Sequence, residues 1–228
     1  KQVLELLKLE PKSILESQRE HFVHSFLESI PAADIVGRKN TEILNICLLQ
    51  WGLMQSRSAG NIAISIFDPN HENADWHSNH SIVALINDDM PFLVDSATAY
   101  FNEQGFSVHL LVHPIFDVQR NHNGDLISIS DVSTTLKGER ESCILFEVDR
   151  ISDDQRREKL KHGLIKVLTD VRLAVTDWHP MLEQLNFSLA ELSEFSEFLP
   201  DGLGNEAADF ISWMYDNNFT FLGHRKYD

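Results

Sequence analysis

The 228-residue chain is acidic, with a formal net charge of −16, and 43% of its residues are hydrophobic and 24% charged. That composition is typical of a globular protein with a sizeable core. The negative charge argues against binding nucleic acid or anionic membranes, since both need clustered Lys and Arg. No apolar run approaches the roughly 20 residues of a membrane span, and no signal peptide is visible. We therefore expect a cytoplasmic protein without nucleic-acid or membrane partners.

The N-terminal part of the chain predicts a helical segment. Apolar residues recur at helical spacing before Pro31, and residues 40–42, Asn-Thr-Glu, signal the start of a further helix. That helix carries Cys47, whereas Cys143 lies in a strand pattern. Two well-separated cysteines are typical of reduced core thiols in a cytoplasm.

Residues 81–116 are the centre of the predicted fold. They begin with a short apolar run rich in branched side chains, which predicts a buried strand. Pro91 suits the first turn of a helix that Asp89 would cap, and Gly105 would end that helix. From Phe106 the hydrophobic period changes from 3.6 to 2, which predicts a second strand. The segment therefore reads as a β-α-β unit.

The other segments are assigned by the same patterns. The second strand is expected to run unbroken to Arg120 and to be followed by an Asn-Gly hairpin turn. Residues 131–141 are polar and predict a mobile loop. Residues 152–155, Ser-Asp-Asp-Gln, form a capping box before a long helix. The remaining predicted elements are strands at 61–67, 126–130, 142–149 and 220–225, the long helix that Ser152 caps and that stops near Pro180, and helices at 188–199 and 205–216.

The order β-α-β-β-α, with a possible closing strand, is the pattern of split β-α-β units. We therefore predict an α+β fold, a ferredoxin-like βαββαβ sandwich whose antiparallel sheet is covered on one face by the two long helices. The predicted domains are a helical segment at 1–60, the α/β domain at 61–187 and a helical extension at 188–228 that ends in a short strand.

Two motifs raise specific chemistry. Residues 202–207 match G-x-G-x-x-A, but they follow a helical pattern ended by Pro200, whereas a dinucleotide fingerprint follows a strand. An inter-helix loop is the expected interpretation. No G-x-S-x-G elbow or P-loop is present, so no cofactor-binding or catalytic residue is predicted.

Eleven histidines raise the question of a metal site. His109 and His113 are four residues apart on a strand, about 13 Å, which is too far for one ion. The loop histidines at 71, 77 and 80 lie near Asp75, but their spacing matches no zinc pattern. Solvent-exposed loop histidines are expected, and an independent enzyme with a metal in this loop is the weaker hypothesis.

The strand-to-helix turn is the remaining candidate site. Backbone N–H groups at a helix start can hold a carboxylate, so a small molecule or a subunit could bind there. Asp88 and Asp89 are adjacent acids that point apart, so helix capping is expected rather than acid–base catalysis. The predicted effector-binding residues are Asn87, Asp88, Asp89, Met90, Phe92 and Leu93.

Residues 89–95 and 105–108 resemble the D-x-P-G-L-L and G-hydrophobic-x-hydrophobic signature of ACT domains. These domains are ferredoxin-like regulatory modules that bind amino acids between subunits. Phe92 stands where that family usually has glycine, the residue that lets a ligand approach the backbone.

A more specific resemblance covers nearly the whole chain. The chain is similar to the N-terminal region of the large NAD-specific glutamate dehydrogenases of bacteria. The matching segments are NDDMPFLVDS at 87–96, VHL at 108–110, VHP at 112–114, Glu141-Ser142, DVR at 170–172, Asp177-Trp178, FTFLG at 219–223, IFDP at 66–69 and Trp76.

This resemblance implies an ACT-like, non-catalytic regulatory or assembly module of a homo-oligomeric enzyme. The parent enzyme would deaminate L-glutamate to 2-oxoglutarate and ammonia with NAD. No cofactor would bind in this segment, whose partners would be the rest of the parent chain and an amino-acid effector. The chain begins with Lys1 and not Met, which suggests a piece of a longer polypeptide. The alternative is a purely structural oligomerisation module that binds no ligand.

Overall fold

The computed structural model describes residues 2–10, 15–72, 76, 78–132, 139–195, 200, 202–223 and 225. The chain divides into two compact units, residues 1–168 and 169–228. The predicted boundaries at 60 and 187 therefore differ from the observed division, because the N-terminal helices and the sheet share one unit.

The first unit begins with helices, as the spacing of apolar residues predicts. They are α1 (Gln2–Leu7), α2 (Glu16–Glu28), α3 (Ala32–Ile35) and α4 (Asn40–Met54). The sequence pattern did not single out α1, yet Val3 and Leu7 are buried. In α2 and α4 the aromatic residues lie on the inner side, and the Phe22 ring contacts those of Phe26 and Trp51 with centroids 5.7 and 5.4 Å away.

A six-stranded antiparallel sheet follows. Its strands are β1 (Ala63–Phe67), β2 (His80–Asp88), β3 (Val108–Val112), β4 (Ile115–Arg120), β5 (Leu126–Asp131) and β6 (Glu139–Asp149), and the helices between and after them are α5 (Pro69–Glu72), α6 (Leu93–Glu103) and α7 (Asp154–Thr176). The strand order is β1-β2-β6-β4-β5, and β3 also pairs with β6. The long strand β6 is therefore the centre of the sheet. The mobile loop predicted at 131–141 falls mainly on residues 133–138, which lie outside the described ones.

The strand predicted from Phe106 to Arg120 is not continuous. It divides into β3 and β4, which pair with opposite halves of β6, and His113 and Pro114 lie between them. Proline has no N–H to give to a strand ladder, so an interruption is expected at this position. The Pro114 carbonyl still accepts a hydrogen bond from the Cys143 amide, 2.9 Å away. The prediction of one unbroken strand was wrong for this reason.

The central β-α-β unit is confirmed, because β2 and β3 both run antiparallel to β6, which lies between them. The closing strand differs from the prediction. Thr220–Gly223, within the predicted strand at 220–225, have no strand structure. The edge next to β2 is instead occupied by β1, which precedes the unit in the chain. The βαββαβ pattern is thus only partly reproduced.

The sheet is covered by helices on both faces. One face packs against the N-terminal helices through a cluster that includes Ile82, Ile86 and Leu145. The other face carries Phe146, whose ring meets that of Phe101 in α6 at 5.0 Å, and α7 lies beside α6 with Gly163 against Tyr100. Only the covering of this second face by the two long helices was predicted.

Helix α7 begins one residue later than the capping box predicts. The Asp153 carboxylate accepts a hydrogen bond from the Arg156 amide at 2.8 Å, so Asp153 is the cap and not Ser152. Both residues can cap, and the sequence pattern alone does not decide between neighbouring candidates.

The second unit is helical. After the end of α7 it contains α8 (Trp178–Phe195), α9 (Leu203–Trp213) and a turn, Met214–Asn218, in which Asn217 has a positive φ of 61°. Two helices were predicted here, but α8 begins ten residues earlier than expected, because Pro180 falls in its first turn, where proline is tolerated. Within the described part of the chain, no helix is both long and apolar enough to cross a bilayer.

Candidate functional site

The predicted site lies where β2 ends and α6 begins. Asp88 is the last residue of β2, and Leu93 is the first of α6. Between them, Phe92 adopts the left-handed conformation with φ 70° and ψ 2°, and its side chain is 53% exposed. Among the described residues, no side chain caps α6, so the prediction that Asp89 caps this helix was wrong.

Asp89 instead binds the sheet. Its amide donates to the Arg140 carbonyl at 2.8 Å, and its carboxylate accepts the Ser142 hydroxyl proton at 2.7 Å. His113 lies on the other side of Ser142, with its Nε2 atom 2.9 Å from the Ser142 hydroxyl oxygen. Since the single hydroxyl proton goes to Asp89, Nε2–H of His113 is the donor of the second bond.

The hydrogen bonds among these three side chains run in the wrong direction for a hydrolytic triad. A serine nucleophile must give its proton to a histidine, whereas Ser142 gives its proton to Asp89. Ser142 is also fully buried, out of reach of a substrate. The three residues therefore join the turn to β6 and to the β3–β4 break, which is a structural role.

On the opposite face of the sheet the turn is held by a buried charge cluster. Arg57 donates to Asp88 at 2.6 Å and to Glu141 at 2.6 Å, and Arg120 donates to both oxygens of Glu141 at 2.7 and 2.8 Å. The side chains of Arg57 and Glu141 are wholly inaccessible to solvent. The two positive and two negative charges balance, as a buried cluster requires.

A cleft of about 520 Å³ opens beside this cluster, lined in part by Arg57, Arg120 and His122. The arginines do not make it an anion site. Each guanidinium nitrogen already donates to a protein oxygen, including the carbonyls of Asn61 and Gly124. Burial lowers the pKa of Arg57, but its bonds to Glu141 and Asp88 outweigh this, and the pKa is raised overall. The arginines therefore hold the fold together here.

The six predicted residues lie at the end of β2, in the turn that follows and at the start of α6, in unequal roles. Asn87 and Leu93 are buried. Asp88 and Asp89 are bonded to Arg57 and Ser142. The groups that face outward are the partly exposed Met90 and the exposed Phe92. The sequence reasoning did not assign Arg57, Arg120 or His113 to this site, and no local pattern connects them with it.

The other candidate motifs do not gather into a site. The segment at 202–207 follows α8 and begins α9, so the inter-helix interpretation is confirmed and the dinucleotide one is not. His109 binds Asp149 at 2.7 Å and His113 binds Ser142, so they do not converge. Asp75 and His77 lie outside the described residues. Within the described residues, no three His, Cys, Asp or Glu side chains could hold a metal ion.

The two cysteines are buried free thiols, as predicted. Burial raises the pKa of Cys47 to about 12 and raises that of Cys143 as well. Since the thiolate is the nucleophile, both thiols are chemically inert at neutral pH.

Phe92 offers a test of the turn. Phe92→Gly is expected to be about 1 kcal/mol more stable than Phe92→Ala, because glycine alone adopts a left-handed conformation without steric cost. Urea denaturation of the two variants measures this difference. The matched pair is Asp95→Gly and Asp95→Ala in the first turn of α6, where the order should reverse by about 1 kcal/mol. Equal stability of the two Phe92 variants would contradict the left-handed turn.

His113 makes stability depend on pH. Burial lowers the pKa of this imidazole, and the nearby Asp89 charge only partly opposes the shift. As pH falls below the ordinary histidine value of about 6.5, the unfolded chain gains a proton that the folded chain refuses, so the free energy of unfolding decreases.

Urea denaturation at about pH 7.5 and about pH 5.5 measures this loss. His113→Gln keeps a donor for Ser142 and does not titrate, so its loss should be smaller than that of the parent chain. An equal loss in both, or an NMR titration of His113 with a midpoint above the ordinary value, would contradict the argument.

Comparison with known proteins extends the sequence resemblance. The family model described as "Glutamate dehydrogenase, ACT1 domain" matches residues 22–164. The NAD-specific glutamate dehydrogenase of Halomonas elongata is 31% identical over 230 residues, covering all of this chain, and that of Pseudomonas aeruginosa is 28% identical over 207 residues, covering 90% of it. The chain spans only 14% and 13% of the length of these two relatives. Since the family model covers more than half of the chain, the chain belongs to the glutamate dehydrogenase ACT1 domain family.

Proposed function

We propose that this chain is a non-catalytic regulatory and assembly module in the N-terminal region of a large NAD-dependent glutamate dehydrogenase. The longer enzyme would convert L-glutamate to 2-oxoglutarate and ammonia with NAD, in the cytoplasm and as a homo-oligomer. The observation that carries this proposal is the family match over residues 22–164. The module would act on the reaction through contacts with the rest of the polypeptide, and its fold would be an ACT-like variant of the ferredoxin arrangement in which β1 replaces the closing strand.

The effector would bind at the turn of residues 87–93. The first turn of α6 has no side-chain cap from the described part of the chain, so its N–H groups suit the carboxylate of an amino acid. Asp88 and Asp89 are already bonded to Arg57 and Ser142, so they would shape the turn and not contact the ligand. Met90, Phe92 and the backbone of Leu93 would line the ligand side, and Asn87 would support the turn from below.

Amino-acid binding predicts a rise in the unfolding temperature of this chain. A ligand at about 100 times its Kd adds about 2.7 kcal/mol to the free energy of unfolding, which a thermal-shift screen of the amino acids detects readily. The variants Phe92→Gly and Phe92→Asp should alter the shift, and Phe187→Asp, far along the chain and 63% exposed, should not. The absence of any shift with all amino acids would exclude the effector role.

A second function, structural oligomerisation without a ligand, is favoured by one observation. Phe92, which has a positive φ and is exposed, stands at the position where the ACT signature has glycine. This alternative expects no amino-acid binding in calorimetry, but loss of oligomer when residues 1–228 are removed from the longer protein.

The assignment of catalysis is tested in the full-length protein. We expect it to reduce NAD with L-glutamate, and the chain of residues 1–228 alone to show no turnover. Turnover by the isolated chain would overturn the non-catalytic assignment, and a full-length protein inactive with glutamate would overturn the parent activity.

A further inference from the structure

The described part of the second unit has almost no buried core. Among the described residues of 169–228, Met181 is the only one that is buried, with 5% of its surface exposed. Units of this size normally bury about 60% of the surface of the unfolded chain, because burial must offset the loss of conformational entropy. The described part of this unit therefore buries much less apolar surface than a stable unit of its size needs.

Many large apolar side chains of this unit lie on the surface instead of in a core. From α8 onward, the most exposed among the described residues are Phe187 (63%), Leu203 (48%), Phe210 (57%), Trp213 (49%), Phe219 (49%) and Leu222 (77%). Leu203, Phe210 and Trp213 project from α9 within an arc of roughly 80°, given 3.6 residues per turn. Phe210 and Trp213 stack on each other, with ring centroids 6.0 Å apart. An apolar stripe of this kind normally faces a protein partner and not water.

The matches to relatives bear on which partner covers this apolar surface. The ACT1 family match ends at residue 164, just before this unit begins. The match to the Halomonas elongata enzyme nevertheless includes the whole chain while covering only 14% of that protein. Residues 169–228 are therefore shared with long relatives but lie outside the ACT1 match.

Charge argues against a second copy of the chain as the partner. Residues 169–228 contain eleven acidic and only three basic side chains. Two copies of this surface would bring like charges together, which is unfavourable at an interface. A partner with its own apolar stripe and fewer acids suits the surface better.

We infer that the apolar surface of α9 and its neighbours binds the polypeptide that follows residue 228 in the longer protein. Residues 169–228 are then the first part of a second domain whose core is completed downstream, and not a tail of the ACT1 domain. This inference rests on the proposed function only in taking the chain as the N-terminal region of a longer enzyme.

Site-specific crosslinking in the full-length protein tests this. A benzophenone amino acid replaces Phe210, or as a control Ile127 of β5, which is 50% exposed in the first unit. Mixing isotope-labelled and unlabelled protein separates crosslinks within a chain from those between chains. We expect position 210, and not position 127, to crosslink within the chain to residues beyond 228. Crosslinks from 210 only to a second copy or only to residues 1–168, or no crosslink at all, would overturn the inference.

Introducing a charge into the apolar stripe gives an independent measurement. Phe210→Asp should make the full-length protein about tenfold more susceptible to limited proteolysis near α9, because docked helices are cleaved only on opening. The same variant should leave the susceptibility of the isolated chain of residues 1–228 nearly unchanged, since its α9 is already uncovered. An equal effect in both proteins would contradict docking.

Measuring glutamate turnover in the same full-length protein distinguishes failure of the proposed function from failure of this inference. Crosslinks beyond residue 228 in a protein that does not oxidise glutamate would reject the proposed activity alone. Full activity with crosslinks elsewhere would reject this inference alone.

Discussion

Glu141→Gln is expected to lower the free energy of unfolding by about 3 kcal/mol, because it removes a buried charge shared by two arginines. Glu141 accepts from Arg57 and Arg120 in a site closed to water. Without its charge, only the partly exposed Asp88 compensates the two guanidinium groups. Chemical denaturation at neutral pH measures the loss.

The matched control is Glu5→Gln. Glu5 also pairs with a cation, Lys8 at 3.1 Å, but both side chains are more than half exposed. Surface pairs contribute less than about 1 kcal/mol, so this variant should unfold almost like the parent chain. If Glu141→Gln were as mild as Glu5→Gln, the cluster would not be the support of the β2–α6 turn that the geometry indicates. Hydrogen exchange at residues 89–93 should also be faster in Glu141→Gln.

Gly124→Ala is expected to cost about 3 kcal/mol, because it adds both backbone strain and a collision. Gly124 has φ 89°, and a Cβ there would lie 2.6 Å from the Arg57 carbonyl oxygen. The β4–β5 turn would have to move away from residues 56–58, which breaks the 2.9 Å bond from the Arg57 amide to the Gly124 carbonyl. Thermal or urea unfolding measures the cost.

Gly37→Ala separates the two causes. Gly37 has nearly the same φ, 86°, but a Cβ there would meet no atom of the described residues within 4 Å. This control should lose only the conformational part, about 1 kcal/mol. If both variants lost the same free energy of unfolding, the close approach of residue 124 to Arg57 would not contribute to the cost.

The local elements were predicted well where one pattern governed them. The helical spacing in α4 and α7 places apolar side chains on one side, and the buried residues follow that spacing. Alternation also identified β1 and β6 as strands, but β6 is buried on both faces because helices cover both. The Asn-Gly turn before β5 was found for a similar reason, since glycine is needed there for a positive φ. The prediction of one unbroken strand was wrong because the hydrophobic alternation continues through Pro114, whereas the pairing with β6 is interrupted there.

The candidate site was predicted in position but not in mechanism. The sequence placed a strand-to-helix turn at residues 87–93 and noted the unusual Phe92. The expected capping by Asp89 gave way to a bond with Ser142, which lies 53 residues away in the chain. A carboxylate can satisfy either a helix start or a neighbouring strand, and only the pairing of β2 with β6 decides which donor is closer.

The sequence by itself determined the helical and strand character of most segments, the position of the turn, and the acidic surface. The tertiary structure alone decided that β1 takes the edge beside β2, that Arg57 and Arg120 share Glu141, and that the second unit leaves its apolar side chains uncovered. The physical reason is range. Periodicity and turn chemistry act over a few residues, whereas strand order, buried charge pairing and helix docking join groups distant in the chain.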